Sequence, residues 1–474
     1  MPSDFLKENL EFLDQQKLME PSVNEQIGFD FQGLRRSFKE DPSHPDSKSV
    51  AAFGRIWIYD AALSIYADLK AGRIRSAGYQ AGRVMQLALQ EKAKGFLGLW
   101  HFSYNTRGDS FIDPRGPTGA NCWCLNALYA YALERGDAVL ITWANRAVEE
   151  FLFAQQVMDP RDPRYGLIRA GLHNADEVKR GEGMGYRVYE GDRNCPYEHV
   201  ILEHCIDAAG TFRLAYRAAR KLLVPGAAAP SASRVSSFLA ELVRRHDLLM
   251  QGARRCFWQK DHFISALDPR GAPYTGTDGL PSVAVDNNTW AAYIFLPYDL
   301  EMARMAARYV EENFLVRVPP VQVEDAARRP APNGMEGLFY FRSTFVDPFV
   351  QVPPEYRAKM EQLFQPEAAL GFVLFLAALA RQTPDPGEKA RLEARARELY
   401  EHTVNLLGLY GSGGAPYASA NVPMVFSTLS SITTASSCVI TAAILQGASP
   451  DDFIGVLPPT EFTVAGKPPL MARG

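Results

Sequence analysis

The stretch Tyr197-Glu198-His199-Val200-Ile201-Leu202-Glu203-His204-Cys205-Ile206-Asp207-Ala208-Ala209-Gly210-Thr211-Phe212-Arg213-Leu214-Ala215-Tyr216-Arg217 is apolar nearly all round when wound as a helix, yet it carries acids and histidines near one end. A helix of this kind belongs in an interior. Burying Glu198, His199, Glu203, His204 and Asp207 there is costly unless the groups are paired, catalytic or wet. On a continuous helix His199, Glu203 and Asp207 fall at i, i+4 and i+8 and share one face.

Five further stretches repeat this layout: Ala51–Leu69 with Trp57, Tyr59 and Asp60; Gly119–Leu133 with Asn121, Trp123 and Asn126; Asp286–Phe295; Glu367–Ala380, opened by Pro366; and Thr433–Leu445. Their starts recur every roughly 65 to 90 residues, the room a helix pair and a loop occupy. Between them lie helices with a charged face, Arg73–Lys92, Ala138–Gln156, Val235–Arg254 and Glu388–Leu406. The all-apolar set predicts an inner ring and the amphipathic set an outer one. The fold class expected is all-α, an (α/α)6 toroid, with residues 1–474 as a single domain. No outer partner follows Gly447, so a helix within residues 1–47, either Asp4–Met19 or Ile27–Phe38, is expected to close the outer ring.

The connections into the inner helices are long and rich in Gly, Pro and aromatics, whereas returns such as Ala71-Gly72 and Arg135-Gly136-Asp137 are brief. One face therefore carries the loops, and function is expected there. Short β-hairpins are expected on that face, from Gly98-Leu99-Trp100-His101-Phe102-Ser103-Tyr104, Phe257–Leu267 and Gly414–Ala420. Ala227–Ser237 reads as an outer linker.

Composition narrows the function. The chain is 47% hydrophobic and 22% charged, as expected of a globular protein with a large core. A net charge of −4 argues against a nucleic-acid partner. No membrane span is expected, since even Ala368–Ala380 stops at Arg381. The first residues lack the order of an export signal, so a cytoplasmic location is expected. The six cysteines form no CxxC pair and read as reduced thiols. Cys122 and Cys124 point about 200 degrees apart on a helix, so at most one faces the cavity. No phosphate-cradling loop and no Gly-x-Ser-x-Gly elbow is present, so neither a nucleotide cofactor nor a serine hydrolase is expected. His and Glu one turn apart can share a metal, but the spacing is not HExxH and no third ligand is evident, so no metal is expected.

Polar residues that open inner helices either cap the helix or meet a ligand at the mouth of the ring. Glu203, Asp286 and Glu367 lead this set, ahead of Asp60, Asp113, Glu336 and Asp347. Aromatics recur beside them: Trp57 with Tyr59, Trp100 with Tyr104, Trp123, Trp290, Tyr340 and Tyr417. Carboxylates among aromatic rings suit carbohydrate chemistry, in which paired acids protonate a leaving oxygen and activate water or attack directly.

The chain resembles the six-hairpin, (α/α)6-barrel glycosidase-like superfamily, as a bacterial member, in Tyr59-Asp60-Ala61-Ala62-Leu63, Thr118-Gly119-Ala120-Asn121-Cys122-Trp123, Glu203-His204-Cys205-Ile206-Asp207, Asp286 to Trp290, Pro366-Glu367-Ala368 and Gly414-Ala415-Pro416-Tyr417. The resemblance implies catalytic roles for Glu203, Asp286 and Glu367. It departs at Cys205, where a Glu-His-Asn-x-Asp pattern would place Asn, and at Glu367-Ala368-Ala369, where Glu-Gly-Thr would fit. The expectation is a glycoside hydrolase-like enzyme acting on a glycan, oligosaccharide or glycoconjugate, with Glu203 as general acid and Asp286 or Glu367 as base or nucleophile. Substrate contacts are assigned to Tyr59, Asp60, Trp100, Tyr104, Asn121, His199, His204, Asn287, Trp290 and Tyr417. Two other readings use the same cavity: an isomerase, lyase or cyclase of terpenoid or sugar-epimerase type, and a non-catalytic carbohydrate-binding or scaffold protein.

Overall fold

A computed structural model of the chain describes residues 3–25, 27–41, 43, 54–106, 115–173, 176–179, 187–190, 194–223, 229–276, 279–317, 336–338, 364–410, 415, 417, 429–448, 458–462 and 464. The elements in chain order are α1 (Ser3–Gln15), β1 (Val23–Asn24), β2 (Phe29–Asp30), β3 (Arg55–Trp57), α2 (Ile58–Lys70), α3 (Ile74–Ala93), β4 (Ser103–Asn105), β5 (Gly116–Pro117), α4 (Thr118–Arg135) and α5 (Ala138–Ala147). A π-helical turn, Val148–Leu152, joins α5 to the single turn α6 (Phe153–Gln155). There follow β6 (Gly171–His173), β7 (Asp176–Lys179), β8 (Arg187–Glu190), β9 (Cys195–Tyr197), β10 (Val200–Ile201), α7 (Leu202–Lys221), α8 (Ala229–Phe257), β11 (Ala266–Leu267), α9 (Val285–Phe295), α10 (Leu300–Asn313), β12 (Leu315–Arg317), β13 (Glu336–Leu338), α11 (Pro366–Gln382), α12 (Pro386–Tyr410) and α13 (Ile432–Leu445).

The fold is an (α/α)6 toroid. Six helices, α2, α4, α7, α9, α11 and α13, each pack on the next, and α13 returns to α2, which closes the inner ring. Each carries its own outer partner: α3 on α2, α5 on α4, α8 on α7, α10 on α9, α12 on α11 and α1 on α13. The inner helices are buried on almost every side, as in α11, where Pro366 and every residue from Ala368 to Leu376 are buried. One continuous apolar core runs between the rings.

Local chemistry sets the helix ends. Asp137 and Asp299 accept from the backbone N–H three residues on, at Leu140 and Met302, and Ser431 does the same for Thr434. Gln365 caps α11, with Pro366 in its first turn. Gly136, at φ 67°, ends α4 in the left-handed conformation and turns the chain back into α5.

The structure alters four expectations. The first inner helix begins at Ile58, because Arg55–Trp57 pairs with Ser103–Asn105. Residues 229–237 belong to the long helix α8 and are not a linker. Residues 27–38 form turns, strand β2 and isolated bridges at Arg35 and Phe38, leaving α1 to pack on α13. Of the expected strands, β4 and β11 form, with an isolated bridge between Trp258 and Phe263, whereas most of 414–420 lies outside the described residues. So do Asp113, Tyr340 and Asp347. Among the described residues no helix is long and apolar enough to cross a membrane.

A buried ion pair ties the N-terminal segment to the ring. Arg35 Nη1 donates to Asp68 Oδ2 on α2 at 2.9 Å, with both side chains sealed from solvent, and Ser76 and Gln80 of α3 donate to the same oxygen. Breaking one side of such a pair strands a charge. Asp68→Asn is expected to lower the unfolding free energy by about 3 kcal/mol in urea titrations; a loss under about 1 kcal/mol would show that the pair holds nothing together.

Candidate active site

The first turns of the inner helices converge at one end of the toroid. Tyr59 and Asp60 open α2, Glu203 opens α7, Asp286 opens α9 and Glu367 opens α11. Asp207 lies one turn below Glu203. Hydrogen bonds cross the ring between them: the Tyr59 hydroxyl donates to Glu367 Oε1, and the Thr433 hydroxyl of α13 donates to Asp60 Oδ1. Gln365 Nε2 donates to Glu367 Oε2 at 3.1 Å. Asp286 Oδ1 accepts from the backbone and side-chain nitrogens of Asn287, at 2.7 and 2.9 Å.

Tyr59 and Glu367 border a small cavity of about 10 Å³. Tyr59, Trp123, Trp290 and Glu367 line its upper part, and Leu63, Leu370, Leu374 and Ile440 form an apolar floor. Three rings stand edge to face around it, Tyr59 to Trp123 at 5.3 Å and Trp123 to Trp290 at 5.9 Å between centroids.

The electrostatics are those of acids withdrawn from water beside one another. Burial pushes the Glu367 carboxyl up to about 7; its hydrogen bonds from Tyr59 and Gln365 oppose this, and Asp60 and Asp286 reinforce it. Burial pushes Asp60 up to about 6 against hydrogen bonds from Ser37 and Thr433. Asp207 is raised well above the ordinary carboxylate range by burial and by Asp286, with Trp123 acting the other way. Burial, then Glu367, Glu203 and Asp207, raise the Tyr59 phenol. Tyr417 is raised by burial and by Glu367, Asp60, Glu203 and Asp286, which places it beside the same cluster.

Glycine makes the deeper part possible. A Cβ on Gly119 in α4 would stand 2.5 Å from His204 Cδ2 and 2.9 Å from Asp207 Oδ2, so only glycine lets α4 and α7 approach this closely. Burial pushes His204 down to about 4, leaving it neutral near pH 7.

Several expected contacts lie elsewhere. Trp100 is wholly buried, donates its indole N–H to Val84 O of α3 at 2.9 Å and packs on Trp143 of α5. Tyr104, equally buried, accepts from His101 N at 2.8 Å. Neither is a stacking wall; both are core, because strand β4 and the segment before it fold under the outer layer. Asn121 is spent on holding that segment, through Trp100 N, Trp100 O and Pro117 O at 2.9 to 3.1 Å. The stripe of His199, Glu203 and Asp207 is broken: β10 pairs with β11, so the helix begins at Leu202 and His199 sits outside it, against the Tyr274 hydroxyl. Trp123 and Asp207 join the cluster although neither led the sequence reading; their signal was a Trp two residues after Asn121 and an acid one turn after Glu203. Among the described residues no group of three or more His, Cys, Asp or Glu is arranged to hold a metal ion.

No protein-family model and no curated protein matches the chain. Among solved structures it is similar to D-mannose isomerase (TM-score 0.53, 10% identity, 93% of this chain and 97% of the other), to a Listeria innocua protein (0.50, 9%, 94% and 96%) and to cellobiose 2-epimerase from Bacillus thermoamylovorans (0.50, 8%, 94% and 100%). At these identities the likeness is one of fold, and it extends over nearly the whole chain. The architecture agrees with the six-hairpin resemblance.

The raised carboxyls have a consequence for stability. Asp60 and Glu367 hold protons in the native state that ordinary carboxyls, near 3.8 and 4.5, have already lost in the unfolded chain. Their stabilising contribution is complete below about pH 4 and is lost as pH rises through about 6 for Asp60 and about 7 for Glu367. The unfolding free energy is expected to fall by about 4 kcal/mol between pH 5 and pH 8, with a shallower fall in Glu367→Gln. Equal slopes for the two proteins would remove Glu367 from the account.

Proposed function

We propose that the chain is an enzyme acting on a sugar or glycan by carboxylate acid–base catalysis in the axial cluster, residues 1–474 serving as one domain and the substrate being met in the cytoplasm. The observation that carries this reading is a buried acid held ready to give up a proton near neutral pH among other carboxyls: burial pushes Glu367 up to about 7, Asp286 acts on it, Glu203 acts on its partner Tyr59, and Tyr59, Trp123 and Trp290 stand beside it as aromatic walls. Glycoside cleavage needs this division of labour, one carboxyl to give a proton to the leaving oxygen and another to attack or to activate water. The role of general acid, first read for Glu203, is better suited to Glu367. Asp286 or Glu203 then acts as base or nucleophile, and Tyr59 orients Glu367 through its hydroxyl.

A second reading has its own support. D-mannose isomerase and cellobiose 2-epimerase, two enzymes of the same fold, rearrange sugars without cleaving them. In that case the Tyr59–Glu367 pair would move a proton to and from carbon beside the sugar carbonyl, and neutral His204 would hold substrate.

One experiment separates the two. Purified protein is incubated in deuterated water with panels of glycosides and reducing sugars and followed by NMR, which registers cleavage as new reducing ends and isomerisation as deuterium entering at carbon 2. Glu367→Gln is expected to lower kcat by about 10²- to 10⁴-fold, and wild-type kcat to fall as pH rises through about 7, where the acid loses its proton. Unchanged turnover in that variant would overturn the assignment of Glu367.

A further inference from the structure

Trp123 is held at the cavity by more than packing. Its indole stands edge to face with Tyr59 of α2 at 5.3 Å and with Trp290 of α9 at 5.9 Å, at interplanar angles of 87° and 71°. It lines the cavity together with Glu367. Edge-to-face contacts are weak and broad in geometry, so they hold such a ring loosely. A hydrogen bond is directional. The indole N–H is the one donor of this side chain, and it goes to the carboxyl of Asp207 on α7.

Asp207 reaches that nitrogen because a side chain is missing opposite it. Gly119 lies four residues before Trp123, on the same face of α4. A Cβ there would stand 2.9 Å from Asp207 Oδ2, so the carboxyl takes up room that a larger residue would fill. Asp207 is 7% exposed, and its Oδ2 has no hydrogen-bond partner in the chain. Burial, and after it the charge of Asp286, favour the protonated, uncharged carboxyl. Keeping an acid uncharged in an interior is expensive where an apolar side chain would pack. What the acid supplies, and an apolar residue cannot, is an acceptor aimed at Trp123.

We propose that Asp207 is a positioning residue: above the gap at Gly119 it holds the Trp123 indole at one angle, and so fixes the aromatic wall against which the sugar lies. Tyr59, whose hydroxyl donates to Glu367, packs on the same indole, so a turned Trp123 also loosens the partner of the proton donor. The inference rests on this cavity being the sugar site proposed above, and it names a residue whose work there passes through another side chain.

An uncharged acceptor can be replaced by Asn and not by Leu. Asp207→Asn and Asp207→Leu are compared with the wild type in the full chain, each checked for folding by circular dichroism. Fluorescence is read as the difference between each protein and the same protein carrying Trp123→Phe, which isolates the Trp123 emission. In Asp207→Leu the maximum of that difference spectrum is expected to shift and its quenching by acrylamide to rise, while Asp207→Asn keeps the wild-type values. On the sugar found by the panel above, Leu is expected to raise KM about tenfold with kcat within about threefold, and Asn to bring KM back. A Trp123 spectrum that is the same in all three proteins overturns the positioning role. So does an Asp207→Asn that loses as much turnover as Asp207→Leu, a result that gives the carboxyl proton a direct part in the chemistry. The expected spectral change with no sugar bound or turned over keeps the hold on Trp123 and removes the sugar reading. Should Asp207→Leu not fold, Gly119→Ala displaces the carboxyl by crowding and is expected to give the same spectral shift; no shift there overturns the role as well.

Discussion

The constraint on which the site depends is that six inner helices run the same way and end in one narrow space. Whatever opens each helix is thereby carried to the axis. At that end the helices present their backbone N–H groups and the positive ends of their dipoles, which favour acidic side chains in the first turn. The same geometry removes water and brings like charges together. The dipoles permit the acids to gather, and the shortage of water raises their proton affinities unevenly, so that Glu367 and Asp60 part company with an ordinary carboxylate. Carboxyls that titrate near neutral pH thus follow from the ring itself.

Packing at the axis serves the same end. Gly119 brings α4 against α7 closely enough for His204 and Asp207 to face it, and Trp123, one turn further along α4, reaches Tyr59 on one side and Trp290 on the other. The loop segment before β4 is held beneath the outer helices by Asn121 and by the Trp100 indole. The residues that look most like ligand contacts in that segment are therefore the ones that fix the scaffold.

What was legible in the sequence follows from how far each signal acts. Helices buried on all sides leave an apolar record over ten or more residues, and the alternation with charged-faced helices marks the two rings, so the toroid could be read directly. First-turn acids such as Glu203, Asp286 and Glu367 were legible because their position on the helix fixes their direction. Trp100, Tyr104 and His199 were misplaced because each sits in an irregular or extended stretch, where orientation depends on partners that no helical or strand period fixes: Val84 for Trp100, the backbone of His101 for Tyr104 and Tyr274 for His199. Asp207 was seen within a stripe of three, but its pairing with Asp286 joins two helices nearly eighty residues apart and leaves no trace in either one.

The ring also has a seam. Its last inner helix, α13, packs between the first inner helix, α2, and the first helix of the chain, α1, so the contacts that complete the circle join segments separated by more than 360 residues. Loop-closure entropy makes such contacts the slowest to form. Until they do, a growing chain is an open arc whose inner faces are exposed, and during synthesis its first helix must wait for the last hairpin. Asp60 lies on this seam, bound to Thr433 of α13, so the acid cluster reaches its final form only when the circle does. The seam of the circle and the acid cluster at its axis are therefore joined through one hydrogen bond between the first and last inner helices.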